Sequence, residues 1–208
     1  MKKTIIVMPV ANEETTMGRI LDEILGLPYD NLHIYPVIDS YSKDRTEEII
    51  RDRERVSDRV KCIFHEKSTG VISCYLEGFK RALADGAERI IEMDGGSMRE
   101  QPLYRRILSQ GGTFLSNAVL GTALKDMTSG FEGFQRGILE QLHLDSFLST
   151  GHMYQTEMRY YCRNLRTVEV PIHYVGTASS LKGSSVTEAI KILFMLKKHE
   201  PEVCKWKR

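Results

Sequence analysis

A chain of 208 residues is long enough to bury a core of its own and fits one domain. Its 41% apolar and 27% charged residues are ordinary for a soluble globular protein, and a net charge of +1 points to neither nucleic acid nor an acidic partner. The four cysteines (Cys62, Cys74, Cys162, Cys204) make no CxxC pair or zinc spacing and read as apolar fillers in a reducing compartment.

The first half alternates strands and helices as βαβ units do. Thr4–Pro9 is a continuous apolar run, as in a strand buried on both faces. It is too short for a signal sequence. A helix follows over about Thr15–Leu27, with Met17, Ile20, Leu21, Ile24 and Leu25 on one side, stopped by Gly26 and Pro28. Leu32–Ile38 is a second strand, and Ser42 or Asp44 caps the next helix, which turns Ile49 and Ile50 inward. Val60–Phe64 is a third strand, Gly70 to Leu83 a helix, and Arg89–Met93 a fourth strand ending at Asp94-Gly95-Gly96. Gly70 and Gly78 read as places where a helix packs closely.

The second half is less regular. Leu103–Leu120 reads as a helix interrupted at Gly111-Gly112, and Asp126–Phe134 as a short strand or loop. Helices are expected around Arg136–Leu142 and Met153–Arg163. Thr167–Tyr174 reads as an edge strand because it carries Pro171, and Val186–His199 as an amphipathic helix. No run reaches transmembrane length, so the chain is expected in the cytoplasm. The basic residues Lys205, Lys207 and Arg208 suit either a solvated tail or contact with anionic lipid.

Polar residues stand just past the strands: Asn12 and Glu13 after the first, Asp39 after the second, Asp94 after the fourth. In open α/β sheets, ligands bind beyond the carboxyl ends of the strands. Carboxylates there suit a ribose hydroxyl, a base N–H or a divalent metal on a diphosphate. Each residue alone is equally a helix cap or a turn residue; three at one edge favour a ligand site.

At this point the order of motifs resembles the family-2 glycosyltransferases of GT-A fold, nearest the dolichol-phosphate or polyprenyl-phosphate mannosyltransferases. Pro9-Val10-Ala11-Asn12-Glu13 is similar to that family's opening "P-x-x-N-E", and Val37 to Thr46 resembles an altered "V-D-D-G-S-x-D-x-T". Asp94-Gly95-Gly96 stands at its "D-x-D". Asp126 to Phe134 matches "D-x-T-S-G-F-x-x-F", Tyr154-Gln155-Thr156-Glu157 "F-Q-x-E", and Glu169-Val170-Pro171-Ile172 "E-V-P-I".

The resemblance implies an α/β fold of GT-A type, an open, mostly parallel sheet flanked by helices. It implies a nucleotide-binding half over 1–100, an acceptor half over 101–185 and a C-terminal amphipathic helix with a basic tail over 186–208. It also implies inverting transfer of a sugar from a nucleoside-diphosphate sugar to an acceptor, a polyprenyl phosphate, at the inner face of the membrane. Pro9, Ala11, Asn12, Glu13, Asp39 and Lys182 are then donor-binding residues. Asp94 holds Mg2+ or Mn2+, Arg105 holds the acceptor phosphate, and Ser129 and Gln155 lie on the acceptor side. A homodimer is a further expectation.

Three departures mark this chain off. Gly96 stands where a second acid is usual, leaving one carboxylate for the metal. Gln101-Pro102 runs directly into Leu103, where a further helix and strand of roughly 20–30 residues are expected. That contraction predicts a narrowed sheet with an exposed edge. The usual "R-x-x-G-x-S-K" loop is replaced by Thr177 to Val186, with Lys182 as its one base. These departures favour a second reading, a shortened paralogue that binds a nucleotide or a partner without transferring sugar.

Overall fold

The computed structural model describes residues 2–93, 103–149, 151, 153–170 and 183–198, with the helical backbone alone for 103–108 and 183–188. In chain order the elements are β1 (Thr4–Val10), α1 (Met17–Leu25), β2 (Leu32–Asp39), α2 (Thr46–Val56), β3 (Ile63–His65), α3 (Val71–Ala84) and β4 (Arg89–Glu92). They are followed by α4 (Leu103–Leu120), β5 (Glu132–Gln135), α5 (Arg136–Leu139), a short 3-10 turn (Leu144–Ser146), α6 (Tyr154–Tyr161) and α7 (Gly183–Lys198). The strands form one sheet in the order β3-β2-β1-β4-β5, parallel except for β5.

Alternation along β1 sorts its side chains between two helical layers. Ile6, Met8 and Val10 pack with Met17, Ile20, Leu21 and Ile24 of α1 and Ile50 of α2. Val7 faces α3, and the approach there is close because Gly78 has no side chain. A Cβ on Gly78 would lie 2.3 Å from Val7 Cγ1 and 3.0 Å from Val37 Cγ2. Gly70 differs from the expected packing role: nothing lies within 4 Å of its Cβ position, and its φ of +118° is the reason for glycine.

The third strand starts later than the pattern suggested. Val60 makes only a single bridge to Ile34, and the amide of Cys62 is drawn off the ladder by Glu54 Oε1 at 3.0 Å. Beside β4 the sheet continues into β5, which pairs antiparallel from Arg89↔Gln135 to Glu92↔Glu132 and is the last strand of the described sheet. Phe134 of β5 meets Phe79 of α3 edge-on, with ring centroids 6.2 Å apart. That contact and the Arg136 guanidinium on the carbonyls of Leu83 and Ala87 anchor the added strand.

The chain divides into two compact units, residues 1–97 with 130–141, and residues 98–129 with 142–208. In the second unit α4 runs through Gly111-Gly112 without a break. Thr113, Ser116 and Leu120 form its buried side. The described part of the expected strand at Thr167–Tyr174, residues 167–170, has no strand pairing, and Val168 and Val170 are each 73% exposed. Its remainder lies outside the described residues. No helix among the described residues is long and apolar enough to cross a membrane.

Candidate functional site

The parallel pairing brings the carboxyl ends of β1, β2 and β3 to one edge of the sheet, with Val10 beside Ile38 and Asp39 beside His65. The loops after β1 and β2 are stitched together there. Asn12 donates its amide N–H to Ser42 Oγ (3.1 Å), and its side-chain Oδ1 accepts from the Lys43 amide (3.0 Å). Glu13 N–H donates to Thr46 Oγ1 at 2.7 Å and Glu14 N–H to Asp44 Oδ2 at 3.0 Å. In return the Arg45 amide donates to Glu14 Oε2 at 3.1 Å.

Asn12 sits at φ +55°, a left-handed conformation that asparagine tolerates better than most residues. That turn aims its amide at the neighbouring loop. Asn12 and Glu13, expected as donor-binding residues, are thus committed through several of their polar atoms to holding two loops in register. Pro9 lies inside β1, beyond the stretch paired to β4, so its missing N–H breaks no bond to that strand. Ala11 is half-buried just past the strand end.

Sequence reasoning placed Ser42, Asp44 and Thr46 in the motif after β2, and the first two as helix caps, but missed that they clamp the β1 loop. Their alternate spacing, S-x-D-x-T, is the signal: it points three polar side chains at the β1 loop. Asp44 Oδ1 also accepts the Thr46 amide at 3.0 Å, just ahead of Arg45, the N-cap of α2. Burial raises the pKa of the Asp44 carboxyl, but hydrogen bonds from Thr46, Glu14 and Ser42 outweigh that and leave it below the ordinary value. On Glu13 the same burial effect prevails and raises the pKa, against a hydrogen bond from Thr16.

Asp39 is 8% exposed at the end of β2. Its Oδ1 accepts the Tyr41 amide at 2.9 Å, and no hydrogen bond to Oδ2 occurs among the described residues. A buried carboxylate with one oxygen fixed by its own loop and the other left over is suited to a ligand hydroxyl or N–H. Beside it, the loop after β3 is shaped by Ser68 and Ser73, which accept the amides of Gly70 (3.1 Å) and Thr69 (2.9 Å). Neither serine stood out in the sequence.

In the second unit three motifs meet. Asp126 Oδ1 accepts the amides of Thr128 (2.7 Å) and Ser129 (3.2 Å), folding that segment into a tight turn. Thr156 Oγ1 donates to the Met127 carbonyl and Arg159 to the Ser129 carbonyl, each at 2.8 Å. Glu169 Oε1 accepts the Lys125 amide at 2.8 Å. Glu157 is fully buried and accepts the amides of Leu148 and Ser149 (2.8 Å each) and the Tyr161 hydroxyl (2.6 Å). Ser129 is therefore brought to α6, which carries the half-buried Gln155.

Asp94 and Lys182 lie outside the described residues, as does the side chain of Arg105, whose backbone is in α4. Among the described residues no three His, Cys, Asp or Glu side chains gather as a metal site.

The mostly parallel sheet flanked by helices is that of the GT-A glycosyltransferases, as the fold comparisons below show. Residues 5–95, from β1 to just past β4, match the model of Glycosyl transferase family 2. The chain is 25% identical to the polyprenol monophosphomannose synthase of Mycolicibacterium smegmatis over 226 aligned positions, covering 91% of this chain and 84% of that protein. It is 26% identical to the dolichol-phosphate mannosyltransferase of Pyrococcus furiosus over 240 positions, covering 97% and 65%. Both alignments exceed 208 positions, so the relatives carry residues that this chain lacks.

Among solved structures, glucosyl-3-phosphoglycerate synthase from Mycobacterium tuberculosis with UDP superposes with a TM-score of 0.59 at 14% identity, covering 97% of this chain and 82% of that one. The same enzyme with Mn2+, UDP and glucosyl-3-phosphoglycerate gives 0.51 at 16% identity, over 76% of this chain. This chain spans 63% of the length of that structure. A mannosyltransferase from Pyrobaculum calidifontis with GDP-Man and Mn2+ also gives 0.51 at 16% identity, covering 81% and 55%. These likenesses establish the fold.

Proposed function

We propose that the chain is a glycosyltransferase that takes a sugar from a nucleoside-diphosphate donor and passes it to a polyprenyl phosphate at a membrane surface. The observation that carries this reading is Asp39, a buried carboxylate with Oδ2 left for a ligand, held at the sheet edge by the clamped loops. The family-2 match and the polyprenol and dolichol-phosphate relatives support the class of donor and acceptor.

In this reading Asp39 accepts a hydrogen bond from the nucleoside, and the clamp keeps Asp39 in place as donor binds. The acceptor phosphate is already an anion, so it needs no general base. Its oxygen bonds to the anomeric carbon as the bond to the nucleoside-diphosphate oxygen breaks, inverting that centre. Arg105 is assigned to the acceptor phosphate, Lys182 to the donor diphosphate, and Ser129 and Gln155 to the acceptor side. A divalent cation, Mg2+ or Mn2+ at Asp94, supplies charge neutralisation of the diphosphate when bound. A homodimer is a secondary part of the proposal.

The test is a thermal-shift titration with UDP, GDP and their sugars, with Mn2+ or with EDTA, paired with transfer to a short polyprenyl phosphate. Donor-dependent stabilisation with turnover is expected. Stabilisation without turnover for any donor and acceptor would select the shortened, non-transferring paralogue instead, a reading favoured by Gly96 and the contraction after Gln101.

A further inference from the structure

The second unit exposes apolar side chains that a solvated helix would not. On α7, Ile192, Leu193 and Leu196 are buried, while Ile190, Phe194 and Met195 are 41%, 55% and 43% exposed. At 3.6 residues per turn these three share the outward arc with Lys191, Lys197 and Lys198. Around that arc Ile190 and Phe194 lie between Lys197 on one side and Lys198 and Lys191 on the other, with Met195 at the far rim, and no acid occurs among the described side chains. Residues 183–208 hold six basic against three acidic residues, in a chain of net charge +1, and include Lys205-Trp206-Lys207-Arg208.

Helix α4, which packs against α7, repeats the anomaly. No charged residue occurs from Ser109 to Leu124, and Phe114 is 76% exposed.

We propose that the outward face of α7 is a docking surface for an anionic lipid bilayer, with Phe194 and Ile190 entering the headgroup boundary and the lysines on lipid phosphates. The charge pattern selects this occupant. Lysine is depleted from protein–protein interface cores, whereas an apolar stripe flanked by lysines suits a bilayer, where the long side chains reach outward to phosphate. The proposal deepens the reading that the acceptor is a membrane lipid and rests on it for the place where the surface acts. Its test uses no nucleotide, so failure of either is seen separately.

The full chain is floated with vesicles of phosphatidylcholine alone or with about 30 mol% phosphatidylglycerol. Binding is expected to the anionic vesicles, weaker at high salt. Replacing Lys191, Lys197 and Lys198 by Gln should lower the partition coefficient on the order of a hundredfold, at about fivefold per lysine. Phe194→Ser should lower it severalfold, and as Phe194 is an exposed residue its melting temperature should hold. Equal binding to both vesicles, no binding by the folded chain, or unchanged binding by these variants overturns the proposal. A stable dimer in light scattering that Phe194→Ser dissociates overturns it in favour of a second copy.

Discussion

Asp44 gathers the amides of Glu14 and Thr46 and the hydroxyl of Thr46 on one carboxylate, so a single side chain ties two loops at the start of α2. Asp44→Ala should cost about 1–2 kcal/mol, as loss of hydrogen bonds to a charged acceptor does. For a chain of this size that is a melting temperature lower by roughly 2–8 °C. Because the folded pKa of Asp44 is lowered, its stabilisation is present above the ordinary value of 3.8 and is lost as pH falls through the folded value. Glu13 has the opposite sign. Its raised pKa means that stability falls as pH rises from 4.5 through the folded value. Melting curves from pH 3 to 7 should therefore show Asp44→Asn flattening the acid limb. Glu13→Gln should be neutral or stabilising at about pH 7, and a large destabilisation there would refute the burial argument. For Asp39→Asn, loss of a charge-assisted hydrogen bond predicts nucleotide affinity weaker by about ten- to a hundredfold in titration calorimetry.

At the scale of elements, α3 and α6 are each held by one feature that can be removed. Gly78→Ala drives a methyl group into Val7 and Val37, and overpacking of this kind costs about 1–3 kcal/mol. A denaturant midpoint unchanged from wild type would show that α3 can slide on the sheet at no cost. Glu157→Ala strips the Leu148 and Ser149 amides and the Tyr161 hydroxyl of their acceptor, a loss of about 3 kcal/mol or more, measurable by urea unfolding. Much of this was legible in the residues. The apolar runs and stripes located β1, β2, α1 and α3 closely, because two-face burial leaves a strong pattern. The start of β3 was not legible, since Glu54, eight residues earlier, takes the Cys62 amide. Nor was the coil at 167–170, where alternating valines read as strand but Glu169 is spent on the Asp126 turn.

For the whole molecule, donor binding and folding are linked. A nucleotide sugar at a hundred times its dissociation constant should add about 2.7 kcal/mol of stability, seen as a raised melting temperature. The sequence by itself determined the layered α/β plan, the GT-A resemblance and the strand-end position of Asn12, Glu13 and Asp39. These follow from burial periodicity and motif order, which are local properties of the chain. Only the tertiary structure decided what those residues touch. It turned Asn12 and Glu13 into parts of a clamp with Ser42, Asp44 and Thr46, some thirty residues away, and left Asp39 with an oxygen to offer. It also set β5 antiparallel beside β4, as the last strand of the described sheet. Such pairings join residues distant in the chain, and no local pattern records which distant partner satisfies a buried polar group or a strand edge.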